Sequence, residues 1–161
     1  RGLMGYTSRF LTLTKGTGVI NRIFHGYGKF EGEMDGRKNG ALISMSTGKA
    51  VAFAIFNLQA RGEMFVTHND PVYEGMIVGL TPKPGDMIIN VMKGKQLTNM
   101  RTQGTDENVV LTPVRQMSIA EQLSMLNTDE ALEITPKSLR LRKAILNPHD
   151  RKRSEKSGTA A

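Results

Sequence analysis

The side chains best equipped for chemistry in this sequence are cations, and they gather in two places. The first is the polar stretch KGKQLTNMRTQGTDEN, residues 93–108, which spaces Lys93, Lys95 and Arg101 among side-chain amides and few core-building residues. Compact domains seldom keep a structureless loop beyond about 12–15 residues unless it is functional or disordered. Cations and amides spaced in this way suit phosphate and sugar contacts; the plainer reading is a mobile hairpin tip. The second place is a run carrying Lys137, Arg140, Arg142, Lys143, Arg151, Lys152, Arg153 and Lys156, opposed only by Asp150 and Glu155, so that +6 of the chain's net +7 lies there. Charge concentrated like this is the footprint of phosphate-backbone binding. The alternative is a solvated strand face followed by a basic tail. Aromatic residues are few and tryptophan is absent, which argues against base stacking as the main mode and for shape and backbone recognition, as with folded RNA.

Other chemistries find little support. There is no cysteine, which removes disulfides and thiolate metal sites and fits a cytosolic setting. His25, His68 and His149 are scattered, with no helical pair or carboxylate cluster to make a metal site. Ser46-Thr-Gly-Lys49 resembles the end of a phosphate-binding loop, but Ile43 stands where the earlier glycine belongs and Ala50 where a magnesium-holding hydroxyl belongs. Gly16-Thr-Gly18 is followed by Asn21 instead of a third glycine, so the dinucleotide fingerprint also fails. His68-Asn-Asp70 could join a hydrolase constellation, yet no nucleophile elbow accompanies it, and a turn before Pro71 explains it better. No apolar run approaches the roughly 20 residues that span a bilayer.

The elements that must position these cations read as follows. The 161 residues allow one or two small domains. Leu3, Tyr6, Phe10 and Leu13 recur at helical spacing, predicting a helix over 3–14 that stops at Gly16 and Gly18. VINRIFHGYGKF, residues 19–30, reads as a long strand loosened by two glycines. One helix and one strand cannot bury their apolar faces alone, and the N-terminus RGLMGYTS opens inside a helix, so the chain reads as a piece of a longer one. EGEMDGRKNG, residues 31–40, reads as a boundary. ALISMS reads as a strand, AVAFAIFNL as a buried strand or short helix, and 63–67, 71–80 and 86–92 as further strands of a small barrel or curled sheet. VVLTPV reads as a returning strand. Ser118-Ile-Ala-Glu121 is a capping box opening a helix over 118–127, with Ile119, Leu123 and Leu126 on one face. Beyond Thr135-Pro136, alternation places Leu139 and Leu141 inward and Arg140 and Arg142 outward; HDRKRSEKSGTAA reads as disordered.

Several stretches together resemble the C-terminal end of the BipA (TypA) family of ribosome-associated translational GTPases. They are RGLMGYTSRFLTLTKGTG at 1–18, RKNGALIS at 37–44, GKAVAFAIFNLQARG at 48–62, VYEGMIVG at 72–79, LTNMRTQGTDE at 97–107 and TPKSLRLRK at 135–143. The resemblance departs at Thr102-Gln103, where the family carries smaller residues. It implies an α+β chain in three parts: 1–33, the end of a ferredoxin-like fifth domain like that of elongation factor G; 34–150, the family's own mainly β C-terminal domain with one or two helices; and 151–161, a basic tail. It also implies a cytoplasmic protein linked to large-subunit assembly and stress responses, with the ribosome, large-subunit rRNA and A-site tRNA as partners. The loop 93–108 would reach toward the peptidyl-transferase region and the tRNA acceptor end, making Lys95, Thr98, Asn99 and Arg101 RNA contacts alongside Lys93. Arg140, Arg142, Lys143, Arg151, Lys152 and Arg153 join them as candidates from the basic run. GTP and magnesium would belong to a G domain that is not in this sequence, so the chain itself is expected to need no cofactor and to hydrolyse nothing. The rival reading is a protein-interaction module for acidic ribosomal or regulatory proteins, with self-association through 1–30 as a further possibility.

Overall fold

The computed structural model describes Leu3, residues 5–29, Gly32, residues 37–94 and residues 110–157. Helix α1 (Tyr6–Leu13) comes first, ended by the left-handed backbone of Lys15 and Gly16. The segment that follows, 19–29, forms no strand: Ile23 is 92% exposed and Tyr27 fully so. A strand is held by a ladder of hydrogen bonds to a neighbour, and among the described residues no neighbour is paired with 19–29. The strand expected over 19–30 is therefore corrected across its described residues.

The rest is built around strand β1 (Ala41–Ser44), whose four residues are all buried. Such a run, without polar alternation, marks a strand covered on both faces. Along the chain follow β2 (Gly48–Lys49), α2 (Ala52–Gln59), β3 (Glu63–Met64), β4 (Pro71–Val72), β5 (Ile77–Leu80) and β6 (Met87–Ile89). The main sheet runs β3-β5-β1-β6, antiparallel except for the parallel β1–β6 pair, and β2 pairs with β4 in a separate small ladder. Then come α3 (Ile119–Met125) and the hairpin β7 (Glu130–Ile134) and β8 (Leu139–Lys143), before α4 (Pro148–Ser157).

Two apolar clusters explain why β1 is buried on both sides. Leu42, Val78, Met64 and Ile89 pack with Ile55 of α2 on one face. Ala41, Ile43 and Ile77 pack with Leu141 of β8, flanked by Leu132 and Leu126, on the other. Full burial of a Leu or Ile side chain is worth about 1.5–3 kcal/mol, so this strand anchors both layers. Two glycines permit the close approaches. A Cβ at Gly40 would collide with the carbonyl of Gly85, and one at Gly75, whose φ is +82°, would lie 2.7 Å from Leu146 Cα.

The α+β class is as the sequence indicates, with an open four-stranded sheet and no closed barrel among the described residues. AVAFAIFNL resolves as helix α2. The interrupted 71–80 run becomes two strands, because Tyr73–Gly75 turns and Met76 N returns to Tyr73 O. No strand forms over residues 110–114, correcting the returning strand. Among the described residues three helices follow residue 37, the third being α4, which replaces the disordered tail over residues 151–157.

Candidate nucleic-acid interface

Helix α4 carries the last part of the basic run, and its start is locally encoded. Asn147 Oδ1 accepts from the backbone N–H groups of His149 at 2.8 Å and Asp150 at 3.4 Å. Asn before Pro is a cap followed by the residue best suited to the first helical position. Asp150 in the first turn and Lys156 in the last complement the helix dipole. Arg151 turns back, its Nη1 donating to the carbonyls of Ile145 at 2.9 Å and Leu146 at 2.6 Å, and so fastens α4 to the end of the hairpin. Lys152, Arg153 and Lys156 stand exposed, and none of the helix is buried. A cleft of about 450 Å³ separates α4 from the main sheet, with Lys38, Asp86, Arg151, Lys152 and Glu155 along it.

Lys143 has the opposite environment. It is 2% exposed, and its Nζ lies 2.5 Å from Asp86 Oδ2, 2.6 Å from Asp129 Oδ2 and 3.1 Å from Glu130 Oε1. Glu130, its side chain fully buried, is also held by the two terminal nitrogens of Arg37 at 2.7 and 3.1 Å. Burial alone would lower the Lys143 pKa, but hydrogen bonds to Asp129 and Asp86 and the charges of Glu130 and Asp86 outweigh it, and the net shift is upward. For Asp86 burial pushes the other way, and Lys143, the Ala41 N–H and Arg37 hold its carboxyl below the ordinary range. A lysine committed to three carboxylates has no proton to offer a phosphate. Lys143 is accordingly removed from the RNA-contact candidates. Alternation would have assigned it inward, on the same side of the strand as Leu139 and Leu141.

Arg140 and Arg142 share the opposite face of β8 but are half-buried rather than free. Arg140 approaches Glu133 at 3.5 Å, across the β7–β8 ladder, and Arg142 donates to the carbonyls of Lys143 and Ala144. Glu133 also accepts from the Tyr73 hydroxyl at 2.6 Å. Burial together with that bond and charge raises the Tyr73 pKa to about 12. Lys93 is exposed near the end of the described segment after β6. Lys95, Thr98, Asn99 and Arg101 lie outside the described residues, as do residues 158–161.

The motifs set aside on sequence grounds are structural. Ser46–Lys49 turns into β2, and Ser44 Oγ donates to Ser46 O. Asn69 sits at φ +69°, and Asp70 Oδ2 accepts from the N–H and hydroxyl of Thr67, while His68 Nδ1 accepts from Ala52 N–H. Among the described residues no group of three or more His, Cys, Asp or Glu could hold a metal ion, and no helix is long and apolar enough to cross a membrane.

One helix face differs from the sequence expectation. Ser118 caps α3 with the full reciprocal box to Glu121, as the spacing indicates. Yet Ile119 is 47% and Leu123 37% exposed, while Gln122 is 7% exposed. A polar residue on the covered side of a short helix gives no periodic signal, so Gln122 was not among the candidates.

Fold and surface define a small α+β module with a compensated ionic cluster inside and cations on an exposed helix. The chain belongs to the TypA/BipA C-terminal domain family, which matches residues 39–148. It is 48% identical over 160 residues to the large ribosomal subunit assembly factor BipA of Buchnera aphidicola subsp. Schizaphis graminum, covering 99% of this chain. It is 46% identical to the proteins of that name from Salmonella typhimurium and Escherichia coli K12, over 97% and 98% of this chain. The chain spans 26% of the length of each of these relatives.

Proposed function

We propose that this chain is the non-catalytic, RNA-binding C-terminal region of a ribosome-associated assembly factor. The observation that carries the reading is the division of the basic run. Lys143 is consumed inside the fold, whereas Lys152, Arg153 and Lys156 are held outward on a capped helix with no buried residue. The relatives' shared name supplies the large ribosomal subunit as the assembly on which such a surface acts. In this reading α4 engages rRNA phosphates. The segment 93–108, with Lys93, Lys95, Thr98, Asn99 and Arg101, is directed at the A-site tRNA acceptor end and the peptidyl-transferase region. Arg140 and Arg142 add secondary contacts by exchanging their intramolecular partners for phosphate oxygens. GTP hydrolysis and magnesium belong to the remainder of the longer relatives.

The test is co-sedimentation of the 161-residue chain with large ribosomal subunits across a salt series. Affinity should fall by about 0.7–0.9 log units per log unit of salt for each phosphate neutralised. Arg101→Ala with Lys95→Ala should weaken tRNA binding with the melting curve unchanged. Salt-independent association that survives ribonuclease would instead support a module for acidic proteins.

A further inference from the structure

Helix α4 buries no residue, and the cleft of about 450 Å³ beside it keeps it clear of the main sheet. Packing of an apolar face, which holds most helices in place, therefore does little to fix where α4 points. Its angle is set at its root, the link of residues 144–147, and that link is held from two sides. On one side is the turn at Gly75. Its φ of +82° suits glycine, its carbonyl accepts from Lys143 N–H at 2.9 Å, and a Cβ there would lie 2.7 Å from Leu146 Cα and 2.8 Å from Leu146 O. On the other side is Arg151, one turn into the helix, whose Nη1 donates to Ile145 O at 2.9 Å and Leu146 O at 2.6 Å. Asn147 O accepts the Arg151 N–H at 3.1 Å, so the backbone and side chain of one residue close on the same link.

The two carbonyls lie between the end of β8 and the start of α4, where the chain itself offers them no ladder, and backbone acceptors that are not solvated need a donor. Arg151 supplies it with a charge-assisted donor, the stronger kind. A guanidinium committed in this way has turned toward the body of the domain. Lys152, Arg153 and Lys156 have not; all three are exposed. Cations on a helix of fixed angle meet a polyanion as a ready-made set. On a helix that swings, the same cations must first be ordered, which costs affinity.

We propose that Arg151 is a positioning residue and not an RNA contact: by pinning the carbonyls of Ile145 and Leu146 it holds α4 at one angle, so that Lys152, Arg153 and Lys156 reach RNA phosphates together. The proposal rests on the RNA-binding reading above and divides the labour within that same helix. A salt series separates the two roles, because its slope counts the phosphates neutralised. The measurement is affinity of the 161-residue chain for large ribosomal subunits, for the parent, Arg151→Met and Lys152→Met. Each variant removes one positive charge, so their difference reports role and not net charge. Backbone amide shifts and relaxation of residues 148–157 are recorded on the free proteins.

Arg151→Met should weaken binding about three- to tenfold with the parent's salt slope. Its α4 should keep helical shifts and gain nanosecond motion. Lys152→Met should leave that motion at the parent's level and lower the slope by about 0.7–0.9. A slope for Arg151→Met as shallow as that of Lys152→Met would make Arg151 a phosphate contact and overturn the proposal. Parent-like affinity in Arg151→Met would overturn it too, as would loss of the helical shifts, since Arg151 would then hold the helix together instead of aiming it. In all three cases a lowered slope in Lys152→Met would leave the RNA-binding reading standing. Unchanged affinity and slope in Lys152→Met would remove α4 from the RNA surface, and the proposal with it.

Discussion

Lys143 and Lys152 stand nine positions apart in one basic run and do opposite work. The first is sealed beneath three carboxylates and ties β8 to Asp86, Asp129 and Glu130; the second lies on an exposed helix. Their difference is topological. Lys143 falls on the inward side of a strand that packs against the sheet, whereas α4 begins after that layer is closed. A charge run read as one object therefore contains both a structural clamp and a surface available to partners.

The sharpest way to break this comparison is to exchange the consequences. Lys143→Met should leave Asp86, Asp129 and Glu130 without their shared counter-charge and destabilise the fold by about 3 kcal/mol in urea unfolding, the lower part of the range for a broken buried pair, because Asp86 and Asp129 reach solvent. RNA affinity of the folded variant should stay within about twofold, since phosphate contacts and not the clamp set it. Lys152→Glu with Arg153→Glu should do the reverse, with affinity for large subunits falling about tenfold or more at low salt and a shallower salt slope. Unfolding should stay within about 0.5 kcal/mol of the parent. If the first pair of outcomes and the second changed places, the assignment of roles would be inverted.

Smaller effects sharpen the same boundary. Ser118→Ala should cost about 1 kcal/mol by removing the cap of α3, without altering the salt slope of RNA binding. The clamp also sets a pH window. Asp86 is depressed in the folded state, so its contribution is present above its unfolded pKa of about 4 and is lost as pH falls through the lower folded value. Lys143 is raised, so its contribution is present below about 10.4 and is lost as pH rises through the higher folded value. Melting temperature against pH should show a plateau between these limits, and Lys143→Met should lose Lys143's share of the alkaline fall. The slightest change is spectroscopic. Subtracting the tyrosinate titration of Tyr73→Phe from that of the parent should leave a component with its midpoint at about 12.

What could be read from residues was what depends on neighbours in sequence. The Ser118–Glu121 box, the alternation of Leu139–Lys143 and the turn at Thr135–Ser138 are satisfied within a few residues. Asn147-Pro148 was equally local and carried the start of α4, but the polar composition after it masked the signal. What escaped depended on distant partners. VINRIFHGYGKF has the composition of a strand and no ladder among the described residues, and β7, whose EALEI alternates weakly, is fixed by its register with β8. Gln122 gave no warning because a single buried polar residue on a seven-residue helix leaves no periodic signal. Lys143 was counted with the free cations because its counter-charges sit as far away as Asp86.

The reach of the clamp has a temporal side. Arg37 and Glu130 are 93 residues apart, and β1 finds its sheet partners in β5 and β6 and its second cover in a cluster that includes Leu141 and Leu132. Contacts this distant in sequence are slow to close. On a growing polypeptide, β1 and Arg37 leave the synthesising ribosome well before the hairpin that completes their surroundings. Until residue 130 has emerged Arg37 lacks its paired carboxylate, and until residue 141 has emerged β1 lacks part of its second cover. A chain cut short before β8 is therefore expected to leave one face of β1 uncovered, an apolar surface of the kind that favours aggregation.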